Sequence, residues 1–296
     1  MLIDALQQNS VFYIAAIFLL GLLVGSFLNV VIYRLPIIIQ REWRKDCSNY
    51  LQENYQAIIQ LDNSKEPKEP FNLVKPDSTC PSCGHQIRAW ENIPVISYLF
   101  LKAKCSNCKT SISFRYPFIE LLSASLAALC AWHFGFSAAG FTAILLSWAL
   151  IALAMIDYDT QYLPDQITLP FLWLGLLLNL NNTFTDIESS IIGAIAGYMI
   201  LWSVHHLFKL ITKKEGMGYG DFKLLALLGA WMGWQFLPVI IILSSLVGSI
   251  IGISLIAFKK HQREIPIPFG PYLAVAGWIA LLWGNDINQS YMNWVM

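Results

Sequence analysis

Apolar runs separated by short polar breaks make up most of the chain. They cover residues 11–33, 117–134, 141–156, 167–180, 191–208 and 224–258, with a last one ending near Trp283. A helix needs about 20 apolar residues to cross a bilayer. The run at 11–33 meets that length, whereas 167–180 is short and reads as tilted or partly re-entrant. Gly233, Trp234, Gln235 and Pro238 break 224–258 into a hairpin of two crossings, the first of them also short. Eight spans result, and the expected fold class is an all-α polytopic membrane protein. The one sizeable polar insertion lies at 34–116. The chain divides accordingly into a first transmembrane helix (1–33), a polar loop (34–116) and a transmembrane core of about seven helices (117–296).

Composition excludes a soluble globule. The 296 residues are 56% hydrophobic and 13% charged, against roughly 25% charged in soluble domains. Net charge is zero, and no nucleic-acid partner is expected. Placement of charge says more than its total. All 19 Lys and Arg fall in three zones: 34–115, 209–223 and 259–263. Basic residues collect in cytoplasmic loops, so the three zones are expected to share the inner side. That demands an even number of crossings between Arg115 and Lys209, and again between Lys223 and Lys259. Only Asp4 is charged ahead of the first run, which places the N-terminus outside; eight crossings bring the C-terminus out as well. The first run lacks the basic leader and small-residue cleavage site of a secretory signal and is expected to remain as a span.

Within the polar insertion, residues 40–78 are charged, mixed and without strong periodicity, which reads as a solvated face or mobile loop. Residues 64–70 read as a linker. Two knuckles follow, Cys80-Pro81-Ser82-Cys83 and Cys105-Ser106-Asn107-Cys108, with 21 residues between them. Cys80, Cys83, Cys105 and Cys108 can supply four thiolates at the tetrahedral geometry that Zn²⁺ takes. Iron or redox thiols are the alternatives, and a reducing cytoplasm disfavours a disulfide. Four Cys close the set, so the zinc reads as structural and His85 as surplus to it. Cys130, in an apolar run, reads as packing.

Candidate chemistry lies at two junctions. Gly216-Met217-Gly218-Tyr219-Gly220-Asp221-Phe222-Lys223 sets one carboxylate behind three glycines at the start of an apolar run. Alone it reads as a glycine-rich turn whose Asp caps a helix. The second junction, 155–165, carries Asp157, Asp159 and Asp165 ahead of and after Pro164. Asp157 is the deepest of the three and carries the most weight; Asp165 can cap the next helix. Charge parity puts Asp157 at the end of an inward-running span and Asp221 at the start of an outward-running one. Both then lie at one membrane face and can meet. Two carboxylates sharing a site do not both ionise readily, and such a pair can activate water while polarising a peptide carbonyl. Ion-coupled transport is the competing reading, because paired intramembrane acids also carry protons or cations. Glu120, one turn inside its run, is a further candidate acid within reach of Arg115. Gly25 and Ser26 suit close helix packing, Asn29 can bond across helices, and His205 and His206 read as interfacial.

At these residues the chain resembles the bacterial type IV prepilin peptidase family of G-x-G-D intramembrane aspartic proteases. The likeness extends over nearly the whole length, through residues 25–36, both cysteine pairs, Arg115-Tyr116-Pro117 with Glu120, residues 157–165, 216–223 and 266–272. It implies catalytic roles for Asp157, seven residues before the proline, and Asp221, and zinc on Cys80, Cys83, Cys105 and Cys108. It also implies an inner-membrane endopeptidase acting on prepilins and type II secretion pseudopilins, whose apolar helix lies in the lipid. Cleavage would fall after a glycine at the cytoplasmic face. Methylation of the new amine with S-adenosylmethionine is implied by the resemblance alone.

Overall fold

The structure is a computed structural model and describes residues 7, 9–55, 71–214, 216–259 and 268–295. Asp4, the 64–70 linker, Lys260, Arg263 and the prolyl approach at 265–267 lie outside the described residues. Among the described residues nine α-helices carry the fold: α1 (Ser10–Tyr55), α2 (Ile96–Phe100), α3 (Arg115–Phe134), α4 (Ala138–Thr160), α5 (Asp165–Asn179), α6 (Ile187–Thr212), α7 (Tyr219–Met232), α8 (Leu237–Lys259) and α9 (Gly270–Val295). Extended structure among the described residues is confined to two isolated bridges, Thr79 with Gln86 and Lys104 with Ser111. The expected all-α class holds.

Eight of these helices match the eight apolar runs, but among the described residues five are long and apolar enough to cross a membrane: stretches of α1, α3, α4, α6 and the region Trp234–Ser254 around α8. With 15 and 14 residues, α5 and α7 rise about 22 and 21 Å at 1.5 Å per residue, less than the ~30 Å hydrocarbon core. A second difference concerns α1. It does not stop near Tyr33 but runs on through Pro36 to Tyr55, so residues 40–55 are helical where the polar composition pointed to a loop. Proline presets a helical φ and removes one donor, which a 46-residue helix absorbs. Arg34 is buried and donates to the carbonyls of Asn72 and Pro76, at 3.0 and 2.7 Å.

The chain forms two compact units, residues 19–124 and residues 1–18 with 125–296. In the first, α1 meets α3 through its small residues. A Cβ on Gly25 would lie 2.6 Å from the Glu120 Cα. Ser123 donates to the Gly21 carbonyl at 2.7 Å, and Asn29 to the Tyr116 carbonyl at 3.3 Å. The contacts expected of Gly25 and Asn29 are therefore made, and they are the small-residue packing and polar bridging that hold helices together in lipid.

In the second unit α7 lies at the centre: Asp221, Phe222 and every residue from 224 to 232 are buried. Its main neighbour is α6, which turns the stripe Gly193, Gly197, Leu201, His205 inward. Gly193 meets the carbonyl of Gly229 and Gly197 that of Leu225, so closely that no Cβ fits at either position. At the far end Asn179 is buried and fully bonded. Its amide donates to the Ala230 and Trp231 carbonyls at 2.9 and 3.0 Å and its oxygen accepts from Phe184 N–H at 3.0 Å. The C-termini of α5 and α7 are thereby tied together, and the rest of the packing places their opposite ends.

Candidate active site and metal centre

Asp157 lies one turn from the C-terminus of α4. The helix ends there because Gln161 takes the left-handed conformation, its N–H closing on the Asp157 carbonyl. Leu163 and Pro164 then carry the chain to α5, whose first residue is Asp165. Asp221 is the third residue of α7, reached through the glycine-rich turn. Gly220 packs on Leu163, whose Cβ would be 2.8 Å from any Cβ at that position, and Lys223 binds both oxygens of Asp165 at 2.7 Å. The two acidic junctions, far apart in sequence, are thus pressed together.

The structure separates the three acids of the first junction. Asp165 is the ion-pair partner of Lys223 rather than a capping residue; the helix-capping position belongs to Pro164. Asp159 is exposed. Asp157 is only 5% exposed and Asp221 only 6%. Gly270, first residue of α9, donates its N–H to Asp157 Oδ2 at 3.0 Å. A Cβ on Gly270 would sit 2.6 Å from that oxygen, so glycine is required for the amide to come so near. Two buried carboxylates, one tethered by an amide, make a pair able to share a proton and handle a water molecule.

The sequence did not single out Gly270, and it misplaced His205. His205 is 2% exposed, against the rings of Tyr219 and Phe222 at 5.5 Å each, and among the described residues neither ring nitrogen finds a partner. It is an interior residue beside the glycine-rich turn, not an interfacial one. The signal was present: Gly193, Gly197, Leu201 and His205 are spaced by four, one helical face. Cys130 is buried against Ser147, 3.3 Å away, as packing requires.

The cysteine centre belongs to the other unit. Each knuckle closes on itself in the same way: Cys80 N–H donates to His85 O and Cys105 N–H to Thr110 O. A left-handed residue four places on completes each turn, Gly84 in the first and Lys109 in the second. The four Sγ atoms all lie within 4.8 Å of one another, with Cys80 and Cys108 3.8 Å apart. Sulfurs about 2.3 Å from a shared tetrahedral Zn²⁺ are spaced by about 3.8 Å, so the four cysteines could hold such an ion. Thr110, through its hydroxyl and its amide, holds the Cys108 thiol down at about 6, which favours the ligating thiolate. His85 is engaged elsewhere, 3.2 Å from both Glu91 and Ser106. Glu120 is buried and accepts the Val95 N–H at 2.8 Å.

Comparison with known proteins gives matches over both units. Residues 19–134 match the family described as the bacterial peptidase A24 N-terminal domain, and residues 144–253 the type IV leader peptidase family. A prepilin leader peptidase/N-methyltransferase of Stutzerimonas stutzeri is 53% identical over 294 residues, 98% of this chain and 97% of that one. One of the same description from Pseudomonas aeruginosa is 52% identical over 292 residues, 98% and 97% of the two chains. A third, from Neisseria gonorrhoeae, is 48% identical over 275 residues, 93% and 92%. No solved structure matches.

Proposed function

Because the chain belongs to the type IV leader peptidase family, we propose that it is an aspartic endopeptidase that removes the leader from type IV prepilins and type II secretion pseudopilins, with Asp157 and Asp221 as the catalytic pair. The observation that carries this reading is the burial of these two carboxylates at junctions that the Lys223–Asp165 ion pair and the packing of Gly220 on Leu163 hold together. The amide of Gly270 complements a charged Asp157, so Asp157 takes a proton from the attacking water while Asp221, protonated, donates to the scissile carbonyl. Proton return from the pair to the departing nitrogen then completes cleavage without a covalent intermediate. Ion transport has no support from the family.

The site lies where α4 ends and α7 begins. With the basic zones on the cytoplasmic side, that is the inner face of the bacterial inner membrane, with both termini periplasmic. A leader in the cytoplasm joined to an apolar helix in the lipid would present its boundary bond there. Cys80, Cys83, Cys105 and Cys108 would hold Zn²⁺, which supplies folding energy to a loop with two bridges of its own. The relatives' description also names N-methylation. S-adenosylmethionine would supply an electrophilic methyl group to the newly exposed amine. The chain lacks a G-x-G-x-x-G turn following a strand, so methylation rests on the relatives and enters no step of cleavage.

The test is a cleavage assay of a model prepilin with purified enzyme. Asp157→Asn and Asp221→Asn are each expected to abolish leader removal with the amount of folded protein unchanged. Full processing by either variant would refute the pair.

A further inference from the structure

The polar insertion carries an apolar surface that cleavage does not account for. Trp90, Ile93, Ile96, Leu99, Phe100 and Phe114 are all exposed, Leu99 by 68% and Phe100 by 82%. They lie on α2, on the 3₁₀ turn Ala89–Asn92 before it and its following residue Ile93, and on the residue preceding α3. A cluster of large exposed apolar side chains marks an interaction site rather than ordinary surface. Exposed Arg88, Lys102 and Lys104 flank it.

Its level in the fold says what covers it. Val95, immediately before α2, has φ 59, a conformation that a β-branched residue adopts only where its surroundings hold it. It is held there by Glu120, which is buried and accepts the Val95 amide at 2.8 Å. Glu120 stands five residues beyond Arg115, the first residue of α3, which is about 7–8 Å along the helix axis. α3 is long and apolar enough to cross a membrane. The backbone at Val95 is therefore pinned beside the second turn of a span, not out beyond its end. Phe114 continues the same surface onto α3, its ring 6.3 Å from that of Phe118. An apolar face alongside the first turns of a span, with basic residues at its edges, fits the boundary between acyl chains and anionic headgroups.

We propose that α2 and its flanks form a monotopic membrane foot: Leu99, Phe100 and Trp90 enter the interface of the bilayer, and Arg88, Lys102 and Lys104 meet anionic headgroups. The Glu120–Val95 hydrogen bond sets its depth. The foot is rigidly joined to the second cysteine knuckle through Ala103 N–H to Tyr98 O and Ile112 N–H to Ala103 O, at 2.8 and 2.7 Å. The knuckles are thereby seated on the lipid surface rather than hanging from α1 and α3 in solution.

A photoreactive side chain tests this in the full-length protein. Leu99→benzoylphenylalanine and Phe100→benzoylphenylalanine, reconstituted in nanodiscs of phosphatidylethanolamine and phosphatidylglycerol, are irradiated and the intact masses read. Both positions are expected to give lipid adducts in yields comparable to an exposed position of α1 such as Leu19, and Asn107, in a knuckle, is expected to give none. The bulky label replaces side chains that are already exposed, so folding is retained and can be checked by prepilin cleavage. Absence of lipid adducts at both positions overturns the proposal. So does an adduct to a second copy of the chain, or to added prepilin, in place of the lipid one.

Discussion

Gly270 is the residue on which the geometry of the carboxylate pair depends. Its amide reaches Asp157 Oδ2 at 3.0 Å, and the space a methyl group would occupy is already filled by that oxygen and by Asp157 Cγ, 2.6 and 3.1 Å away. Gly270→Ala must displace either the start of α9 or the Asp157 side chain. Misplacing a catalytic group by about 1 Å can cost on the order of 10²-fold in rate. The expected outcome is therefore a loss of that order in the turnover of prepilin, with a melting temperature close to that of the unsubstituted protein. Turnover within a few-fold of normal would show that the amide does not position the acid. At this scale the sequence pointed to the candidate acids better than to their geometry. Asp157 and Asp221 were legible because acids at the ends of apolar runs are rare. The separation of Asp157 from Asp159 and Asp165 was not, since it depends on Lys223 reaching across to Asp165. Gly270 was hidden for a related reason: a glycine's role lies in what approaches it from elsewhere in the chain.

Between elements, the contact of α6 with α7 fixes where Asp221 stands. Gly193 and Gly229 bring the two backbones together, and Gly197 meets the Leu225 carbonyl one turn nearer the acid. Backbone cannot yield as a flexible side chain would, so Gly193→Val must push the helices apart. Overpacking of this kind typically costs about 1–3 kcal/mol. Gly193→Val is expected to lower the melting temperature and, by shifting α7, to slow cleavage; Ile192→Val, one residue away and exposed, is expected to do neither. Equal melting of the two variants would argue against this packing. The existence of the helices built from the apolar runs was legible, because long apolar runs have one solution in lipid; α2, in the polar insertion, was not. Helix extent was less so. The charged residues 40–55 carry no apolar stripe to announce a helix, yet α1 continues through them to Tyr55, since a helix already formed adds residues at little further cost.

The cysteine centre is where local backbone order falls short and a bound metal would supply the rest. Its two knuckles each have a single bridge and a few backbone bonds, too little to hold four thiols within 4.8 Å against chain entropy. One Zn²⁺ per chain is the expected content. Stripping it with a strong chelator is expected to expose residues 80–110 to protease while the helices of residues 125–296 keep their circular dichroism. Uniform resistance before and after chelation would mean that the knuckles fold without metal. The spacing of the cysteines made this site the most legible feature of the chain, because each pair is nearly local and owes little to the rest of the fold.

At the scale of the whole molecule, the shortness of α5 and α7 conflicts with the distribution of charge. Residues 116–208 contain no Lys or Arg, and α3, α4, α5 and α6 lie between the basic groups at Arg115 and Lys209. If α5 failed to cross, three crossings would put those groups on opposite faces, against the inward bias of basic residues. The same holds for α7 and α8 between Lys223 and Lys259. Burial reconciles the two. A crossing must match the lipid in length only where it faces lipid, and irregular backbone at membrane depth is tolerated inside protein. α7 is buried on every side from Leu224 to Met232, and its end at Gly233 is followed by a 3₁₀ turn, Trp234–Phe236, leading into α8. α5 is likewise secured at its end by Asn179, bonded to the last carbonyls of α7. On this argument both short helices are expected to cross, completing their passage through buried turns. Asn181→Cys, an exposed position just past α5, is then expected to react with a membrane-impermeant maleimide on intact cells above the level of the unsubstituted chain. Labelling that appears only after the membrane is opened would make α5 re-entrant and would put the basic groups on both faces.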